Sequence, residues 1–164
     1  SLDSLTGVMG RKMFLNKCVA LQKNRAWLKS KAKGWFLFFD VDAFKSINDT
    51  YGHLVGDEVL CGFAKRLDEA LSPYGVVGRL GGDEFAAILH KPITQNALAA
   101  LLDDLYKDLA DILPQQKVTC SIGVCSFTYP QEIRKLMYAT DKALYKAKER
   151  GRACYVFGEA ESKE

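Results

Sequence analysis

Apolar positions along this chain alternate between two spacings. Trp35-Phe36-Leu37-Phe38-Phe39 is an unbroken run ending at Asp40, the pattern of a strand buried on both faces. From Asp57 and Glu58 the spacing becomes helical: Val59, Leu60, Phe63, Ala64 and Leu67 share a face, and Ser72-Pro73-Tyr74-Gly75 ends the helix. Val76 to Leu80 and Glu84 to Leu89 read as strands, joined through Gly81-Gly82 as a hairpin, since tight hairpin turns need positive φ. Thr94 suits the N-cap of a second helix that turns Leu98, Leu101, Leu102, Leu105 and Leu109 inward. Val118 to Phe127 reads as a strand. Glu132 to Arg150 reads as a helix with Ile133, Leu136, Thr140, Ala143, Leu144 and Ala147 on one stripe, closed by Gly151 and followed by a short strand, Cys154 to Phe157. Ser1 to Lys33 reads as a loop and a basic helix, and the polar stretch from Gly158 to Glu164 as a frayed end.

The order strand, helix, strand, strand, helix, strand is that of a split βαβ, ferredoxin-like α+β core. It predicts a central antiparallel sheet with helices packed on one face, extended by a C-terminal helix and strand. A chain of 164 residues suits one domain, and its 48% apolar content suffices for a packed core. The net charge of +3 singles out neither nucleic acid nor a membrane surface as partner. No apolar run is long enough to span a bilayer, and the N-terminus has no signal-peptide pattern. Cys18, Cys61, Cys120, Cys125 and Cys154 are odd in number and lack CxxC spacing, so they read as reduced thiols of a cytoplasmic protein. Arg11 to Lys33 contains lysines and arginines but no acid; a solvated helix face accounts for this more simply than a nucleotide or lipid contact.

The candidate chemistry lies at strand ends. Asp40 and Asp42 close the first strand, and Asp83 and Glu84 lie at the hairpin; in a split βαβ sheet these are neighbours. Singly, each acid reads as a turn or cap residue. Four carboxylates at one end of a sheet repel one another unless cations are present, and hard oxygen donors suit Mg²⁺ or Mn²⁺. Gly81 and Gly82 permit close backbone approach to a phosphate, although hairpin geometry alone would explain them. Lys148 and Arg152 lie four apart at the end of the last helix, where cations are favoured in any case. Asn48 and Asp57 offer the donors and acceptors that a guanine edge requires, while Asp57 also suits a first helical turn.

These residues sit in a run of motifs. Arg79-Leu80-Gly81-Gly82-Asp83-Glu84-Phe85 resembles the motif that names the GGDEF family of diguanylate cyclases. Asp3-Ser4-Leu5-Thr6-Gly7 resembles that family's opening DxLTG. Phe39 to Leu60 is similar to its nucleotide-binding stretch, Ser121-Ile122-Gly123-Val124 to its SIGV strand, and Asp141 to Arg152 to its last helix. The match runs in order through nearly the whole chain. It implies a nucleotidyl cyclase-like fold in one domain, residues 1–158, with a polar tail at residues 159–164.

The resemblance also implies roles. Asp40, the carbonyl of Val41 and Asp83 would hold two Mg²⁺ or Mn²⁺ ions per site, with Glu84 supporting them; Asp83, with Glu84, would serve catalysis by helping to deprotonate a 3′-hydroxyl. Asn48 and Asp57 would recognise guanine, with His53 beside them and Leu60 beneath the base. Phe44, Lys45, Gly81 and Gly82 would line the phosphates, and Lys148 and Arg152 would bind the terminal ones. Asp42 matches the family but receives no role beyond supporting the site. Two departures stand out. Gly10-Arg11 replaces the usual Asn-Arg pair, and Ser72 and Gly75 replace the RxxD of the inhibitory product site, which is therefore absent. The expected activity is condensation of two GTP into cyclic di-GMP across a homodimer of half-sites, with no role for nucleic acid or membrane insertion. The abrupt start at the first motif suggests a domain excised from a missing N-terminal sensor, and such a domain would be mostly monomeric. A degenerate GTP-binding regulatory module and a ligand-free interaction domain are the alternatives.

Overall fold

The computed structural model describes residues 1–160. Five strands form one sheet: β1 (Gly34–Val41), β2 (Gly75–Gly81), β3 (Glu84–Leu89), β4 (Cys120–Phe127) and β5 (Tyr155–Glu159), in the order β2-β3-β1-β4-β5. The first four pair antiparallel, and β5 lies parallel to β4. β1 is therefore central, which is why its sequence is almost wholly apolar: Trp35, Leu37, Phe39 and Val41 project to one face, Phe36 and Phe38 to the other, and all are buried.

Helices cover both faces of the sheet. α4 (His53–Leu71) and α5 (Gln95–Leu109), the crossovers of the split βαβ core, bury Phe63, Leu67, Leu102 and Leu105 against the first face. The second face, with Phe36, Phe38, Ala86 and Ile88, would otherwise lie in water. It is closed by Phe14 and Cys18 of α1 (Arg11–Leu21), Trp27 of α2 (Arg25–Ser30), and Leu136 and Leu144 of α6 (Ile133–Glu149). The two helices of the split βαβ core, α4 and α5, share one face as expected, and the face that core leaves open is covered by the added helices α1, α2 and α6.

Boundaries shift where local chemistry intervenes. The basic segment is two helices, since Asn24 caps the second by accepting from the Trp27 N–H at 3.0 Å. A separate helix, α3 (Phe44–Tyr51), precedes α4, broken from it at Gly52 with φ +91°. α4 thus begins at His53, not at Asp57. Thr94 caps α5 as expected, accepting from the Ala97 N–H at 3.1 Å. β4 starts at Cys120 rather than Val118, and β5 includes Gly158 and Glu159, so the strand runs into what reads as the polar tail. The rest of that tail, residues 161–164, lies outside the described residues. All five cysteines are free, and among the described residues no helix is long and apolar enough to cross a membrane.

Candidate active site

Asp40 lies opposite Glu84 on β3 and opposite Ser121 on β4. The Val41 N–H donates to the Asp83 carbonyl at 3.3 Å, carrying the β1–β3 ladder to the base of the hairpin. This puts the Asp83 carboxyl against that of Asp40. Burial, the Asp40 charge and hydrogen bond, and the nearby Glu84 push Asp83 up to about 6, against a partial lowering by a backbone hydrogen bond. Lys148 reaches across from α6 and forms an ion pair with Asp40.

The expected four-acid cluster is thus a pair, Asp40 and Asp83, with exposed Glu84 beside it. Among the described residues no set of three or more His, Cys, Asp or Glu side chains converges as metal ligands. Asp42 is the acid that departs. β1 ends at Val41 and the chain turns through Ala43, with φ +55°, into α3. Asp42 leaves the alternation of the strand and accepts from Thr119 Oγ1 at 2.8 Å, Ser121 Oγ at 2.7 Å and the Ala153 N–H at 2.9 Å. The two carboxyls that remain together offer hard oxygen donors of the kind a hard cation takes.

The hairpin tip is bare. Gly81 (φ +150°) and Gly82 (φ +51°) take backbone angles that disfavour side chains, and a β-carbon on either would meet nothing within 4 Å. A register shift between Arg79 and Gly81 marks a bulge. Arg79, a motif residue with no role in the sequence reading, braces this turn. Its guanidinium donates to the Gly82 carbonyl at 2.7 and 3.0 Å and to the Asp3 carboxylate at 3.2 and 3.3 Å. Asp3 also accepts from the Thr6 N–H and hydroxyl, which together with Arg79 hold its carboxyl below the usual range despite burial. The opening DxLTG block is therefore an anchor for the hairpin. Beneath, a cleft of about 470 Å³ runs between the hairpin and α6, with Asp40, Glu84 and Lys148 at its rim and Phe38, Leu80 and Met137 among its apolar lining.

A second cluster lies where α3 meets α4. Asn48 Oδ1 is buried and makes no hydrogen bond. It lies over Gly56, where an added β-carbon would come within 1.7 Å of it and 3.4 Å of the Phe44 ring. Gly56 is thus a site residue that the sequence reading passed over. Read from the sequence it lies just before a helix opening at Asp57, where a glycine is ordinary; only the start of α4 at His53 puts it inside a helix, at about 1 kcal/mol relative to alanine. Leu60 is buried one turn on, and exposed Asp57 stands between. Because α4 opens at His53, itself exposed, Asp57 is no helix cap, and its bland explanation disappears. Lys45 instead pairs with Asp49 at 3.5 Å on the solvent side of α3. Arg152 is exposed on the turn after α6.

Ser72 and Gly75 lie at the α4–β2 junction. A β-carbon on Gly75 would fall 1.9 Å from the Ile88 carbonyl oxygen, so the backbone here leaves no room for an acidic side chain.

Comparison with known proteins bears on the family and the fold. The sequence pattern of the diguanylate cyclase GGDEF domain matches residues 1–154. The probable diguanylate cyclase DgcI of Escherichia coli K12 is 38% identical over 153 residues, 93% of this chain and 32% of that protein. The chain thus spans about a third of the length of that relative. Diguanylate cyclase SiaD of Pseudomonas aeruginosa, solved with its activator SiaC, superposes with a TM-score of 0.83 at 30% identity, over 96% of this chain and 61% of that one. The coiled coil and GGDEF domain of DgcB from Caulobacter crescentus, solved with c-di-GMP, shares the fold with a TM-score of 0.84 at 23% identity, over 96% of this chain and 85% of that one.

Proposed function

Given that the chain belongs to the diguanylate cyclase GGDEF domain family, we propose that it joins two GTP molecules into cyclic di-GMP. The 3′-hydroxyl of each GTP forms a bond to the α-phosphorus of the other, and each loses pyrophosphate. The observation that carries this reading is the Asp40–Asp83 pair, two carboxyls held together against their own repulsion. Asp40, Asp83 and the Val41 carbonyl would hold Mg²⁺ or Mn²⁺, two per site, with Glu84 in support. Bound there, the metal would supply positive charge to the phosphoryl oxygens and acidify the attacking hydroxyl.

The protein's own groups do the remainder. Asp83 accepts the proton of the 3′-hydroxyl. Lys148 neutralises Asp40 in the free chain and turns to the terminal phosphates, joined by Arg152. The bare tip at Gly81 and Gly82 lets backbone N–H groups approach phosphate, with Phe44 and Lys45 alongside. The orphaned Asn48 oxygen accepts from the guanine amine, and Asp57 accepts from N1–H and that amine; His53 flanks the base and Leu60 lies under it. Each chain holds one such set, so two copies must face each other to align two GTP molecules. Five free thiols and a GTP substrate fit a cytoplasmic site of action.

The test is incubation with GTP and Mg²⁺. Pyrophosphate and cyclic di-GMP should appear, and Asp40→Ala or Asp83→Ala should abolish both while the metal-free melt stays cooperative. GTP bound but unchanged would favour a degenerate regulatory module, and absence of binding a ligand-free interaction domain.

A further inference from the structure

The geometry points to Asp42 as a positioning residue that acts through the backbone to set Arg152 against the terminal phosphates. This rests on the reading of Arg152 as a phosphate ligand. Asp42 accepts three hydrogen bonds, two from side-chain hydroxyls and one from a backbone N–H. Thr119 Oγ1 and Ser121 Oγ, at 2.8 and 2.7 Å, fix the carboxylate to the entry of β4, where Ser121 is wholly buried. The third, the Ala153 N–H at 2.9 Å, belongs to the turn between α6 and β5. The carboxylate therefore joins the end of β1 to a turn more than a hundred residues on, with a separation of 111.

That turn needs holding. Gly151, Arg152 and Ala153 have φ of +105°, +65° and +49°, three successive left-handed residues, of which two carry β-carbons and adopt this conformation with strain. Two bonds tie the turn back to α6: the Gly151 N–H donates to the Lys148 carbonyl at 3.2 Å and the Arg152 N–H to the Ala147 carbonyl at 3.1 Å. The Ala153 N–H has Asp42 as its acceptor, and this bond to a full carboxylate charge is the strongest type available to it. Without it Ala153 relaxes toward negative φ, and exposed Arg152, one residue back on the turn, loses the backbone position that carries its side chain.

Charge and position predict opposite signs, which makes the role testable. Removing a negative charge near a phosphate site should tighten triphosphate binding if only electrostatics matters. Loss of positioning should weaken it. The probe is 3′-deoxy-GTP with Mg²⁺, which lacks the attacking hydroxyl and stays unreacted, with GMP as the tail-less control. Asp42→Ala should weaken 3′-deoxy-GTP by about tenfold, the size of one lost charge-assisted bond, and leave GMP binding unchanged. Asp42→Asn keeps an acceptor for Ala153 and should bind 3′-deoxy-GTP as tightly as the parent. In an Arg152→Ala background, Asp42→Ala should cause no further loss. If the alanine variant does not fold, Asp42→Ser, whose hydroxyl is too short to reach Ala153, is compared in its place. Equal weakening of GMP and 3′-deoxy-GTP, tighter 3′-deoxy-GTP binding by Asp42→Ala, or additive losses in the double variant would overturn the role. Unchanged 3′-deoxy-GTP affinity in Arg152→Ala alone would instead remove the phosphate reading on which the role rests.

Discussion

Asp83 costs the metal-free protein stability. Its carboxyl is pushed from 3.8 up to about 6 by burial and by Asp40, so the native state holds this proton more tightly than the unfolded chain. The metal-free protein should therefore lose stability as pH rises from about 4 through about 6 and level off above. The group is part-exposed and screened, and the loss should be about 1 kcal/mol, well under the unscreened value. Asp83→Asn should flatten this slope in thermal melts without metal and gain a similar amount at pH 7; an unchanged slope would show that Asp40, Glu84 and Lys148 set the local charge balance by themselves. The same reasoning applies to the base edge. Asp57 is exposed and does not cap α4, so its carboxylate is available to guanine. Asp57→Ser should relax the preference for GTP over ATP, measured as the ratio of kcat/KM, by about tenfold or more, since each unmade hydrogen bond costs about 1–3 kcal/mol. Equal selectivity in variant and parent would move guanine recognition elsewhere.

Among the elements, the β2–β3 hairpin depends on a residue outside its own turn. Arg79 bonds both the Gly82 carbonyl and Asp3, and its side chain is only 15% exposed. Arg79→Ala would remove the guanidinium from the Gly82 carbonyl and leave the part-buried Asp3 carboxylate without its cation, Thr6 being its remaining donor. The expected loss is about 1–3 kcal/mol in urea unfolding, with amide exchange quickened first around Gly82 and Glu84. Parent-like exchange at those amides would mean the glycine turn holds without its brace. Most elements were legible because hydrophobic period and punctuation agreed, as at Thr94, Gly81-Gly82 and Gly151. α3 was not: Ile47 is its one buried residue, so a helix of eight residues left almost no apolar stripe to read.

At the scale of the whole molecule, the described residues supply one set of the proposed nucleotide-binding side chains, and the proposed reaction needs two. Turnover per molecule should rise with protein concentration and level off only when dimers dominate, and a parallel coiled coil fused before Ser1 should raise it at low concentration. A rate that stays high and flat on dilution, with only monomer in sedimentation, would contradict the half-site scheme. Product should inhibit weakly. Ser72 offers no guanidinium, and the Gly75 backbone lies too close to Ile88 for a carboxylate to be grafted there without moving β2. Strong non-competitive inhibition by cyclic di-GMP would locate that control on another surface.

From the sequence alone came the strand-helix order, the central strand and the motif residues Asp40, Asp83, Asn48 and Lys148, because each rests on local spacing or on letters in a row. What those letters touch was decided by tertiary contact. Asp40 and Asp42 look equivalent two residues apart, yet one meets Asp83 and Lys148 while the other turns to Thr119, Ser121 and Ala153. Asp3 and Arg79 are separated by 76 residues, and no local pattern links them. Covering both faces of the sheet was likewise beyond the strand-helix order, since the order determines which elements exist but not which apolar face each must close. Hydrogen bonds and ion pairs act over a few ångströms in space, and only the fold brings distant parts of the chain that close.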